Sequence, residues 1–278
     1  MEARIGVMQG RLSPRPENRL QAFPHETWPE EFAHAKRLGF SYLEWIYEAE
    51  RAEENPITSA AGRAAIRACA AASGTPVGSV CADYFMIHRL AGGSAEQRTR
   101  HAESLSELVR WTRELGATRI LLPLLETSAV DTPEQKREVT DSIRRVCPAL
   151  EAYGIVLGLE LEIPGPEYAA LIRGIGHDRV RAYYDTGNST AQGLDIATDI
   201  LPLLPLLEAV HLKDRVVGGT SRPFGRGAAN FSGLFGVLER AGYAGDFLTQ
   251  HYFDSDPLAA AAHSLAFVSE QLRARRAA

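Results

Sequence analysis

Short apolar runs alternate along this chain with longer stretches in which apolar residues recur every three or four positions. The runs are Arg4–Met8 (RIGVM), Tyr42–Trp45 (YLEW), Val77–Ala82 (VGSVCA), Arg119–Leu124 (RILLPL), Ile155–Glu160 (IVLGLE), Val180–Asp185 (VRAYYD), Ala209–Lys213 (AVHLK) and Phe247–Gln250 (FLTQ). Several are apolar on both faces, which predicts strands of a parallel sheet covered by helices. The first helical stretch places Phe32, Ala35 and Leu38 on one face, with Thr27 as a candidate N-cap, Pro29 in the first turn and Gly39 as a stop. Further helices are expected over the Ala-rich stretch Ser59–Gly74, from Glu96 (Leu105, Leu108, Trp111, Leu115) and from Pro133 (Val139, Ile143, Val146, Leu150). Shorter ones are expected at Pro166–Ile175, Ala197–Leu207, Phe231–Gly242 and Asp256–Ala274.

Eight strands alternate with eight helices without a linker or a low-complexity break. The pattern predicts an α/β chain folded as a single (β/α)8 TIM barrel over residues 1–278. A doubly wound open sheet is the competing architecture. It would favour a Gly-rich phosphate turn after the first strand, and MQGRLSP lacks the G-x-G-x-x-G spacing.

Composition narrows the partners. The chain has 278 residues, 45% of them hydrophobic and 23% charged, as in a soluble globular protein with a full-sized core. A net charge of −5 offers no basic field for nucleic acid or an anionic membrane, which leaves small molecules as the partner class. Cys69, Cys81 and Cys147 form no C-x-x-C pair, so neither a disulfide framework nor a cysteine zinc site is expected. With no signal-peptide pattern in MEARIGVMQG and no membrane-length apolar run, the expected location is cytoplasmic. A homo-oligomer is compatible with all of this.

Barrel active sites form at the C-terminal ends of the strands. The predicted ends carry Gln9 with Arg11, Glu44, Asp83, Pro123, Glu160, Asp185, His211 with Lys213, and Gln250. Carboxylates crowded at converging strand ends are costly to bury, and a divalent cation removes that cost. Glu160, Asp185, His211 and Gln250 come from four successive strands, the first three 25 and 26 residues apart. Two carboxylates, an imidazole and an amide oxygen suit one divalent ion such as Mn²⁺, Mg²⁺, Co²⁺ or Zn²⁺. Each residue alone has a plainer reading: a Glu as a cap or rim ion pair, Asp-Thr-Gly-Asn as a turn, a His as a satisfied core group.

The segments IGVMQGRLSP, GLELEIP, YYDTGNS, VHLKDR and GRGAANFSGLFGVLERAGYAGDFLTQ resemble the sugar phosphate isomerase/epimerase family, the xylose isomerase-like TIM barrels. The resemblance runs over essentially the whole chain. It implies Glu160, Asp185 and His211 as metal ligands, with a glutamate as the fourth at the end of strand eight. Gln250 departs from that pattern: its amide oxygen could ligate, but it cannot accept a substrate proton. Arg226 stands where relatives commonly carry the glutamate of Gly-Glu-Gly, which makes the loop after strand seven basic together with Lys213, Arg215 and Arg222.

The implied function is a divalent-metal-dependent isomerase or epimerase of a sugar, sugar phosphate or inositol-like polyol, acting through an enediolate. Glu160 is the expected base, Lys213 a group that reaches substrate oxygens, and His88 a source for the base that Gln250 does not provide. Arg11, Glu44, Asp83, Arg215 and Arg226 are the expected substrate contacts. A metal-dependent lyase or dehydratase on a keto-sugar or keto-inositol is the alternative, since it needs only one strong base. A non-catalytic sugar-binding barrel and a DNA-repair endonuclease rank lower, the latter because it needs several His ligands and a basic surface.

Overall fold

The segments VGSVC and RILLPL have no polar face because both of their faces are covered. The computed structural model describes residues 4–15, 19 and 21–276. Eight parallel strands close into a barrel in the order β1-β10-β7-β6-β5-β4-β3-β2. They are β1 (Ile5–Met8), β2 (Tyr42–Ile46), β3 (Val77–Cys81), β4 (Arg119–Leu124), β5 (Val156–Leu161), β6 (Val180–Asp185), β7 (Leu207–Leu212) and β10 (Asp246–Thr249). The remaining two, β8 (Asp214–Arg215) and β9 (Ser221–Arg222), make a short antiparallel ribbon in the loop after β7.

The long helices are α1 (Trp28–Leu38), α2 (Ala60–Ser73), α4 (Ala95–Glu114), α5 (Pro133–Tyr153), α6 (Gly165–Ile175), α9 (Phe231–Arg240) and α10 (Pro257–Arg276). Their ends are set by local chemistry. Ser94 with Gln97, and Thr132 with Gln135, form capping boxes that satisfy orphan N–H groups at the starts of α4 and α5. Thr27 stands at the N-cap of α1 but makes no capping bond; its hydroxyl donates to Ser13 Oγ at 2.9 Å.

One predicted helix breaks. Over Ala197–Leu207 the chain forms only a four-residue turn, α8 (Ile196–Asp199), and then a 3₁₀ segment, Leu201–Leu206. Pro202 and Pro205 cannot donate to an α ladder, so this connection stays short and tight. Two further turns of helix fall directly after strands: α3 (Tyr84–Ile87) and α7 (Thr186–Ala191).

The barrel interior is layered, and two tyrosines fill it. The Tyr42 ring crosses the lower barrel, where a Cβ on Gly6 or on Gly78 would lie 2.4 Å from it. One layer up, a Cβ on Gly158 would lie 2.7 Å from Tyr183 Cδ2 and 3.0 Å from its Cβ. Below Tyr42 the floor is ionic: Arg119, buried, pairs with Asp246, which also accepts from Arg4 Nε at 3.0 Å. These packed layers leave the C-terminal mouth as the place where polar side chains converge.

Candidate active site

β5, β6 and β7 end side by side, and each delivers one donor group to the same point. Asp185 pairs with His211 in the β6–β7 register, and Glu160 comes from the adjoining β5. Ligand atoms of Glu160, Asp185 and His211 all lie within 4.8 Å of one another, and all three residues are buried.

The Asp-Thr-Gly-Asn stretch does several things at once. Asp185 Oδ1 accepts from Asn188 N at 2.8 Å and so caps α7, which satisfies the turn reading. Its other oxygen, Oδ2, accepts no hydrogen bond and faces Lys213 Nζ at 3.1 Å and His211 Nδ1 at 3.6 Å. Asn188 Nδ2 donates to Glu160 Oε1 at 2.8 Å, and Asn188 Oδ1 accepts from Arg215 at 3.1 Å. Gly187 is the seat for the Lys213 stem: a Cβ there would lie 2.8 Å from three of its carbons.

The buried charges balance only in part. Burial, and then repulsion from Asp185, push the Glu160 carboxyl up to about 8. Burial acts on Asp185 in the same direction, but Lys213 and His211 outweigh it and hold that carboxyl below the usual range. Burial opposes charge on His211, yet Glu44 and Asp185 prevail and raise the imidazole to about 10. Without a cation, then, the cluster holds protons on Glu160 and His211 and charge on Asp185. His211 Nδ1 is the second orphan, a buried nitrogen without a hydrogen bond. Two donor atoms without hydrogen bonds and an adjacent carboxylate fit a divalent cation, and the donor set is oxygen and nitrogen without sulfur.

The remaining candidates fall in different places. Glu44, expected to touch substrate, lies inside the barrel: Oε1 faces His211 Nε2 at 2.8 Å, and Oε2 accepts from Ser79 Oγ at 2.7 Å and Tyr183 Oη at 2.8 Å. These three partners hold the carboxylate fully buried, so it does not face a ligand above. His88, expected near the chemistry, stacks on Tyr84 with ring centres 4.0 Å apart and meets His101 of α4 edge-on. Those contacts hold it against the outer helix layer. Arg226, expected to clamp an anion, is exposed on the loop after β9, where its backbone N–H closes a turn onto Pro223 O. Arg11 is buried, donates to the His251 carbonyl at 2.9 Å and lies over the Phe253 ring, so it ties the first loop to the last. Arg215 donates to Gly219 O and Asn188 Oδ1, and so steadies the asparagine that holds Glu160.

Gln250 follows β10 directly, its backbone N–H on Leu212 O at 3.0 Å. Its side-chain N–H₂ donates to Gln21 Oε1, and the Gln21 amide in turn donates to Asp83 Oδ2. Cys81 Sγ donates to Asp83 Oδ1 at 3.1 Å. Burial pushes the Asp83 carboxyl up despite these donors. A chain of polar groups thus runs across the mouth from β10 to β3 through the first loop. Sequence reasoning missed Gln21, Ser79 and Tyr183. Gln21 sits in an irregular polar loop, and the other two sit mid-strand, where only depth in the barrel gives them a role.

Sequence comparison bears on the same elements. The SgbU protein of Escherichia coli (strain K12), provisionally named an L-ribulose-5-phosphate 3-epimerase, is 27% identical over 241 residues, covering 81% of this chain and 83% of that protein. The solved structure of an L-ribulose 3-epimerase superposes with a TM-score of 0.79 at 19% identity, over 99% of this chain and 96% of that one. The 3-keto-D-glucoside 4-epimerase YcjR of E. coli gives a TM-score of 0.75 at 20% identity, over 97% and 100% of the two chains. At such identities the structural likeness shows the fold. The profile described as "Xylose isomerase-like TIM barrel" matches residues 32–271, and the chain belongs to that family.

Proposed function

We propose that this protein is a divalent-metal-dependent epimerase or isomerase of a keto-sugar or related polyol, with Glu160 as the group that moves the proton. The observation that carries this reading is the convergence of Glu160, Asp185 and His211 on one point, with Asp185 Oδ2 and His211 Nδ1 left without hydrogen bonds. The names of the three relatives described above, each an epimerase of a sugar or sugar derivative, support the substrate class.

Glu160, Asp185 and His211 would hold the ion, with the Gln250 amide oxygen as the fourth donor. Such an ion supplies charge compensation and polarises a substrate carbonyl. The chain's own residues do the rest. Asn188 pins Glu160 Oε1, which leaves Oε2 to take a proton from the carbon beside that carbonyl. Ion binding would leave Glu160 as a carboxylate, the form that can accept a proton and later return it. Lys213, steadied by Asp185, presents an ammonium to a substrate oxygen on which charge develops. Asp83, held by Gln21 and Cys81, is the carboxyl that would serve the second face of the carbon, since Gln250 accepts no proton.

Gln250 also favours a second reading, elimination of water from a keto-sugar, in which one base suffices. Incubating Mn²⁺-loaded protein in D₂O with a panel of keto-pentoses, keto-hexoses and their phosphates separates the two. Epimerisation gives a product heavier than the substrate only by the deuterium at one carbon, and dehydration gives a product lighter by about one water. Glu160→Gln should lower exchange by about 10²-fold or more. Exchange that survives both this substitution and metal removal would refute the proposal.

A further inference from the structure

His211 has two ring nitrogens, and the packing beneath it decides which of them is free. Glu44 Oε2 already accepts two hydroxyl hydrogens, from Ser79 and Tyr183, so Oε1 is the oxygen left for His211 Nε2 at 2.8 Å. A carboxylate that takes two hydroxyl hydrogens on one oxygen acts as the acceptor on the other, so Nε2 carries the hydrogen in this contact. The opposite nitrogen, Nδ1, is then the one that faces Asp185 Oδ2 and the cluster, and its proton is the one a cation would displace.

Tyr183 takes part twice. Its hydroxyl fixes Glu44, and its ring meets the His211 ring edge-on with centres 5.0 Å apart. The tyrosine itself is held at both ends. Its backbone N–H donates to Tyr168 Oη at 3.2 Å, and Gly158 leaves its ring no spare room.

We infer that Ser79, Tyr183 and Glu44 form a positioning clamp that locks His211 with its hydrogen on Nε2 and makes Nδ1 the metal-binding nitrogen. The inference rests on the metal site proposed above and adds three residues, none of which touches the ion or the substrate. Glu44 is the sharpest probe, because a glutamine there keeps the shape. Its amide oxygen can still accept from Nε2, while its N–H₂ donates to the rotated hydroxyls of Ser79 and Tyr183. Only the charge behind the imidazole is lost.

The test uses Zn²⁺ alone, with ¹⁵N-histidine-labelled wild type and the variants Glu44→Gln, Tyr183→Phe and Ser79→Ala. Zinc affinity is measured by competition with a chromophoric chelator, and the ring nitrogens are assigned by ¹⁵N NMR of the zinc-loaded protein. The expected result is a protonated Nε2 with zinc on Nδ1, and an affinity about 10–100-fold weaker in Glu44→Gln. Tyr183→Phe keeps the ring and loses only the hydroxyl, so it should fold and weaken binding in the same direction. Zinc on Nε2, or affinities within about twofold of wild type in both variants, overturns the clamp. Wild type that takes up no zinc overturns the metal site and the clamp together. Zinc binding without sugar turnover overturns only the epimerase reading.

Discussion

Gly158→Ala places one methyl group where the barrel has no space for it, and its cost follows from the neighbours. The new Cβ would lie 2.7 Å from Tyr183 Cδ2 and 3.0 Å from Tyr183 Cβ, both well inside contact distance. Tyr183 cannot swing away: its hydroxyl is bonded to Glu44, its main chain to Tyr168, and it is 0% exposed. Overpacking of this kind costs about 1–3 kcal/mol, while replacing a strand glycine by alanine returns about 0.5–1 kcal/mol of chain entropy. A 2.7 Å contact with a held side chain puts the clash at about 2–3 kcal/mol, so the net expectation is a loss of about 1–2.5 kcal/mol, or some 2–4 °C in Tm for each kcal/mol. Urea unfolding followed by tryptophan fluorescence reads it, since the Trp45 ring is buried in the core. Gly174→Ala in α6 is the matched control. Its Cβ meets nothing within 4 Å, so there alanine should stabilise by up to about 1 kcal/mol. A Gly158→Ala protein as stable as wild type, or shifted like the control, would refute the account of the barrel interior.

Two further outcomes follow from the buried charges. At pH 7 the metal-free protein holds protons on Glu160, at about 8, and on His211, at about 10, and ligation must expel both. Metal affinity should therefore rise with pH, about tenfold per pH unit for each proton released, and calorimetry in two buffers of different ionisation enthalpy counts the protons. An affinity constant between about pH 6 and pH 8 would contradict the charge assignment. At the barrel floor, Asp246→Ala strips Arg119 of its close carboxylate and leaves only Glu208 at 3.9 Å, so unfolding experiments should show a loss of about 3–5 kcal/mol. A loss below about 1 kcal/mol would mean that the floor pair contributes little.

The strands were legible in the sequence because burial on both faces leaves a short apolar run that few other structures produce. The same logic marked strand ends, and three of the residues found there, Glu160, Asp185 and His211, do meet. What the sequence does not encode locally is depth. Glu44 occupies a strand position as plausible as that of Glu160, yet the β2 register sets it one layer lower, beneath the imidazole. Likewise His88 and Arg226 sit in the right loops, but Tyr84 draws one sideways and solvent claims the other. The failed helix at Ala197–Leu207 is different in kind: Pro202 and Pro205 stand in the sequence itself and override the apolar spacing around them. Gln21 had no signal at all, since its role depends on two strands that the first loop happens to bridge.

The divided carboxylate of Asp185 has a consequence for what can replace it. One oxygen closes the first turn of α7 while the other faces the cluster, and this requires the short aspartate arm. A glutamate would carry the same charge one methylene further out and could satisfy either neighbour but not both. Thr186, Gly187 and Asn188 are similarly committed, to the Lys213 backbone, the Lys213 stem and Glu160 in turn. Four consecutive letters therefore answer to separate creditors, so no single exchange among them can be repaired by its neighbour in the chain.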